Sequence, residues 1–215
     1  MIIRWNGHSC FTVEGDNTTI VLDPHDGKSI GIRPPRLRAD IVLVSHDHFD
    51  HNAVKTVAGT PTVIQAPFAG KAGDVEMKTI MGYHDRENGA KRGEMRLYKF
   101  RIDGINMLHC GDLGHVPTEE MLKEIGEVDI LFVPVGGVFT IEPEEAKQTI
   151  KLINPRVAIP MHYRIGGLSL SIRPLSDFTD LFPEDTIIRV GNEIEFYSSD
   201  LEDGEIPESI WVFSL

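Results

Sequence analysis

Apolar and polar residues alternate in short runs at the start of the chain and then give way to longer apolar blocks. Residues 2–5, 10–14 and 19–23 are rich in β-branched and aromatic side chains and are separated by Gly and Asn turns, which predicts three short strands. Residues 27–38 carry Gly, Pro and four basic side chains and read as an exposed loop. From residue 40 the apolar runs are continuous with polar ends, at 40–45, 61–66, 105–110, 128–135 and 156–160, as expected of buried strands. Two stretches between them have helical character. In 117–125, Thr118 is the expected N-cap, with Glu119 and Glu120 in the first turn. In 143–153, Ala146, Ile150 and Ile153 recur at helical spacing. Strands followed by alternating strand and helix predict an α/β fold of sheets covered by helices, in a single domain spanning 1–215.

Composition narrows the function classes. With 41% apolar and 25% charged residues in 215, the chain can bury one sizeable core. Twenty-one Lys and Arg against 33 Asp and Glu leave a formal charge of -12, which repels a phosphate backbone and argues against nucleic acid as the main partner. Two cysteines, Cys10 and Cys110, cannot build a disulfide framework and fit a reduced, cytoplasmic setting. The opening residues lack a signal-peptide pattern, and no run of 18 apolar residues suggests a membrane span.

The polar ends of the apolar runs hold the chemistry. They carry Ser45-His46, Gly111-Asp112, Gly136-Gly137 and Met161-His162. In layered α/β folds such ends gather at one cleft. The densest run is His46-Asp47-His48-Phe49-Asp50-His51. In an extended turn His46 and His48 point the same way and can share one cation. Asp50 and His51 are expected to begin a following helix and face a second. Imidazole and carboxylate donors suit zinc, manganese or iron.

This run resembles the HxHxDH signature of the metallo-β-lactamase superfamily. The later His, Asp and His of that pattern match His84 after Gly82-Tyr83, Asp112 after His109-Cys110-Gly111, and His162 after Pro160-Met161. Gly7-His8-Ser9, Leu22-Asp23-Pro24, Pro134-Val135-Gly136-Gly137 and Ile159-Pro160-Met161-His162 look like the branch that includes the L-ascorbate-6-phosphate lactonases. The resemblance covers about residues 1–195. It implies a four-layered αβ/βα sandwich with two divalent cations, zinc first, manganese or iron as alternatives. One cation would sit on His46, His48 and His84, the other on Asp50, His51 and His162, with Asp112 bridging. The implied activity is hydrolysis by a hydroxide held between the cations and oriented by Asp50 or Asp112. A small anionic lactone or ester is the expected substrate. A phosphodiester (nucleotide, phospholipid or RNA) is the alternative, and a metal-binding protein without turnover comes third. Di-iron redox relatives usually carry a flavodoxin-like domain, for which 215 residues leave no room.

Further residues are placed around this site as expectations. His8, His109, Tyr163 and Arg164 are candidate substrate contacts, with a turn cap the alternative for His8 and a hydrogen bond behind a ligand the alternative for His109. Asp23 is either a partner of a ligating His or a strand-end Asp. His115 reads as a turn residue, and Cys10 and Cys110 as core. Arg33, Arg36 and Arg38 read first as a solvated loop. Residues 166–170, Gly-Gly-Leu-Ser-Leu, form a candidate lid, and the tail 198–215 a candidate sheet edge or homo-oligomer contact.

Overall fold

A computed structural model describes residues 1–202 and 208–215. Its strands in chain order are β1 (Ile2–Trp5), β2 (Phe11–Glu14), β3 (Thr19–Leu22), β4 (Leu37–Arg38), β5 (Ile41–Leu43), β6 (Val57–Ala58), β7 (Thr62–Ile64) and β8 (Ala69–Ala72). They continue with β9 (Val75–Tyr83), β10 (Glu94–Ile102), β11 (Ile105–His109), β12 (Ile130–Pro134), β13 (Val157–Met161), β14 (Ile187–Arg189), β15 (Glu193–Glu195) and β16 (Ser209–Val212). Helices α1 (Glu119–Ile125), α2 (Pro143–Ile153), α3 (Ser176–Thr179) and α4 (Ser198–Glu202) complete the described elements together with three 3-10 turns.

Two sheets face each other. The first has the order β15-β1-β2-β3-β5-β7 and the second β14-β16-β13-β12-β11-β10-β9-β8. Phe11, Ile20, Leu22, Ile41 and Leu43 from the first sheet join Leu97, Leu108, Phe132 and Ile159 from the second in one core. This mixed α/β sandwich is the layered architecture that the resemblance implies.

Helix α1 starts at Thr118, whose hydroxyl accepts from the Met121 N–H. Helix α2 spans the expected residues and opens with a capping box between Glu142 and Glu145. They connect β11 to β12 and β12 to β13, pairs that run parallel and therefore need crossovers.

The first sheet is covered differently from the prediction. The segment after His51 is no α-helix. His48 O accepts from the N–H groups of His51 and Asn52, the Ala53 N–H turns away to Pro24 O, and only a 3-10 turn at Val54–Thr56 follows. That turn and the β4–β6 pair cover the outward-facing Cys10, Val21, Val42 and Val44.

Four other expectations change. The loop 27–38 is partly buried: Ile30 packs with Leu168 and Ile172, and the Ser169 N–H bonds Ile30 O, so residues 166–170 are clamped rather than a free lid. The 61–66 run forms an edge strand, β7, with Thr62 and Val63 exposed. Among its described residues the tail forms no edge strand: β16 lies inside the second sheet between β13 and β14, with Ile210 and Trp211 buried. The expectations for residues 203–207 of that tail lie outside the described residues. Finally, the nine-residue strands β9 and β10 occupy a stretch for which no strand is predicted above.

Candidate metal centre

Loops at strand ends of both sheets meet at one buried cluster. The first sheet delivers His46, His48, Asp50 and His51 after β5, Asp23 after β3, and His8 from the β1–β2 turn. The second sheet delivers His84 after β9, Asp112 after β11 and His162 after β13. All seven residues expected to hold cations are brought together.

Asp112 is the hub. Its Oδ2 lies 3.1 Å from His162 Nε2, 3.2 Å from His51 Nε2, 3.5 Å from His84 Nε2 and 3.9 Å from His46 Nε2. Donor atoms of His46, His48 and His84 lie within 4.8 Å of one another, as do those of His46, His51 and Asp112. A third such group joins Asp50, His51 and His162 with His8.

Hydrogen bonds set the tautomers on the first-sheet side. Asp23 is fully buried and accepts from the Ser45 N–H and hydroxyl, both at 2.7 Å, and from His51 Nδ1 and His109 Nε2, both at 2.9 Å. The Ser45 hydroxyl donates to Asp23, so it must accept from His46 Nδ1 at 2.8 Å. The Nδ1 atoms of His46 and His51 are therefore donors, and the Nε2 atoms of both rings turn inward. Those two atoms and Asp112 Oδ1 are buried without a hydrogen-bond partner. Orphaned buried acceptors are costly unless something satisfies them. Imidazole nitrogens and carboxylate oxygens at this spacing are the donor set of divalent transition metals, so the residues fit such cations.

The electrostatics agree. Burial and the neighbouring His51 push His46 down to about 3, and burial, partly offset by Asp112, takes His84 to about 4. Burial and His162 bring His8 to about 4. His51 goes the other way: burial opposes its charge, but Asp112 and Asp23 outweigh burial and raise it well above the ordinary value. Burial would raise both carboxyls too, yet facing imidazoles hold Asp112 and Asp23 well below the ordinary range. Without a cation, a proton on His51 compensates two buried carboxylates; a cation replaces it.

The expected substrate contacts divide. His8 and His109 are fully buried and bond Asp50 and Asp23, so neither imidazole presents itself to a substrate. The hydroxyl of buried Tyr163 donates to Phe213 O at 3.2 Å, and the ring packs on Trp5. Arg164 alone of the four is exposed. Tyr163 follows His162 directly, but the chain turns at His162, with φ +55, and the Tyr163 side chain enters the core instead of the site. His115 is structural: its Nδ1 donates to Val116 O, and its Nε2 accepts from the Tyr83 N–H.

Two features escaped the sequence reading. Asp85 accepts four backbone N–H bonds, from Glu87, Gly89, Lys91 and Arg92 at 2.7–2.9 Å, and so holds the loop that follows His84. At the end of that loop the Arg92 guanidinium lies over the Phe139 ring at 4.5 Å. An Asp before two glycines in a polar stretch was the only signal. The second feature is the crowding at Gly114 and Gly136. A Cβ on Gly114 would meet the His84 carbonyl carbon at 2.4 Å, and one on Gly136 the His162 carbonyl oxygen at 2.0 Å.

Comparison with known proteins accords with this geometry. Residues 2–162 match the β-lactamase superfamily domain. A UPF0173 metal-dependent hydrolase of Thermoplasma acidophilum is 30% identical over 77% of this chain and 84% of its own length. One from Thermococcus kodakarensis is 29% identical over 75% and 84%. A crystal structure from Thermotoga maritima, assigned to the Zn-dependent hydrolases of the metallo-β-lactamase superfamily, superposes with TM-score 0.80 at 37% identity, covering 99% of this chain and 97% of that one. The ascorbate-6-phosphate lactonase branch is not among these matches. The chain therefore belongs to the metallo-β-lactamase superfamily, within the UPF0173 metal-dependent hydrolase family.

Proposed function

We propose that the chain is a hydrolase that holds two divalent cations and cleaves a small anionic lactone or ester. The observation that carries this reading is Asp112, whose single carboxylate lies within 3.9 Å of four imidazole nitrogens delivered by both sheets. His46, His48 and His84 would hold one cation, Asp50, His51 and His162 the other, and Asp112 would bridge. Bound there, the cations supply Lewis acidity that polarises a carbonyl and brings the pKa of a water toward about 7. Asp50 or Asp112 would orient the attacking water. Asp23, through His51 and Ser45, keeps lone pairs rather than protons directed at the cations. In the ligand loop Asp47 and Phe49 are exposed and His48 is half-buried, so the cluster meets solvent on that side. Exposed Arg164, two residues past His162, is the candidate contact for an anionic group, which a chain of charge -12 would otherwise repel.

Elemental analysis of purified protein, followed by turnover of lactones, phosphodiesters and thioesters with metal-loaded and chelated protein, tests this. About two cations per chain with chelator-sensitive lactonase turnover is the expected result. Phosphodiester turnover would replace the substrate class but keep the site, and no uptake after loading would end the hydrolase reading. Asp112→Ala should lose metal and activity together; activity surviving metal depletion would contradict the proposal.

A further inference from the structure

We propose that His8 is a positioning residue of this centre: its Nε2–H clamps Asp50 and thereby fixes the oxygen that Asp50 offers to a cation. The inference rests on the two-cation reading above. His8 Nε2 lies 3.1 Å from Asp50 Oδ2. A carboxylate can only accept, so the proton is on His8 Nε2, and that nitrogen has no lone pair free for a metal. Through Nε2 His8 acts on Asp50; its Nδ1, buried without a hydrogen-bond partner, keeps a lone pair near the donor atoms of Asp50, His51 and His162, and the glutamine variant below separates positioning from direct ligation.

The chain holds this imidazole in place at some cost. His8 has φ +55, a conformation uncommon for a residue with a side chain, and follows Gly7 at φ +97. Its carbonyl accepts from Trp5 Nε1 at 3.0 Å and from the His162 N–H at 3.4 Å, tying the turn to the strand end that carries a ligand. Its ring lies 4.4 Å from that of His162 and 5.2 Å from that of His51, and it is fully buried. Among the described residues Asp50 has no other side-chain hydrogen bond, in contrast to His46 and His51, which Ser45 and Asp23 orient. Without His8 the carboxylate could rotate between its two oxygens.

The test is a cobalt(II) titration of the full chain, followed by visible absorption, with melting curves of each metal-free variant. In His8→Ala, one of the two cobalt ions should bind about 10–100-fold more weakly and the other unchanged. His8→Gln, whose amide reaches as far as Nε2, should recover most of the loss. His8→Asn tolerates the positive φ but falls short of Asp50, and should bind as weakly as the alanine variant. On an Asp50→Ala background, His8→Ala should cost no further affinity. Wild-type affinity for both ions in His8→Ala or His8→Asn would overturn the proposal. So would a His8→Gln as weak as His8→Ala, which would make the imidazole itself a ligand. Wild-type chain taking up fewer than two cobalt ions would instead overturn the two-cation reading, and the proposal with it.

Discussion

The two sheets bring ligands to the same centre by different means. On the first-sheet side, His46 and His51 are oriented by side chains: Ser45 and Asp23 hold each Nδ1, and Asp23 is saturated by four donors. On the second-sheet side, His84 and His162 have buried Nδ1 atoms without a hydrogen-bond partner. There the backbone does the orienting. Gly114 and Gly136 press against the main chain of His84 and His162, Asp85 gathers the loop after His84, and His162 sits at φ +55. One side depends on hydrogen-bond chemistry, the other on close packing. Polar substitutions should therefore damage the first side and added methyl groups the second.

The largest effect expected is at Asp23. Asp23→Ala strands the Ser45 and His109 donors and frees both first-sheet imidazoles, a loss of about 3–5 kcal/mol by analogy with breaking buried charge pairs. Denaturant unfolding would show it, and a change below about 1 kcal/mol would mean that water replaces the carboxylate.

Gly136→Ala comes next. Its Cβ would lie 2.0 Å from His162 O, so the strand end must move, at about 1–3 kcal/mol, taking His162 from the centre. Metal analysis should show one cation lost; two retained cations with unchanged melting would break the contrast. Asp85→Asn should be milder. Replacing one acceptor oxygen by an amide loosens the turn that accepts from four N–H groups, and metal affinity should fall about tenfold. Unchanged affinity would show that the glycine contacts alone hold His84.

pH should separate the sides least but sharpen the comparison. His46 and His84, near 3 and 4, are neutral at pH 7, whereas His51 is raised and holds a proton when metal-free. Because that pKa is raised, the pairing of His51 stabilises the metal-free chain fully below about 6.5 and is lost as pH rises through the folded value. A cation must displace this proton. Affinity for the His51 cation should therefore weaken up to about tenfold per unit fall in pH. Calorimetry in buffers of different ionisation enthalpy should find about one proton released per chain at pH 7; none would place the proton elsewhere.

Much of this centre was legible in the order of residues. The ligand set, the two helices spanning 119–125 and 143–153 and most central strands follow from local signals: a dense His/Asp run, a Thr cap, apolar runs ending in Gly or His. Local signals also misled. The segment after His51 looked helical, but Pro24 O draws the Ala53 N–H away from a second turn. Tyr163 sits beside a ligand in sequence yet turns to Phe213, whereas His109 bonds Asp23 behind the ligand His51, the alternative named for it above rather than a substrate contact. The apolar tail joins the sheet interior through pairings with residues about fifty positions earlier, which no window could reveal.

The sequence alone determined which atoms can meet a cation, because donor chemistry belongs to the residue type. Only the tertiary structure decided which ring nitrogen of His8, His46 and His51 is taken by a hydrogen bond and which histidines stand behind the ligands, because orientation is set by partners from other strands. His8 is the clearest case: forty-two residues from Asp50 in sequence, it becomes that carboxylate's partner only when β1, β2, β3 and β5 assemble side by side in the first sheet.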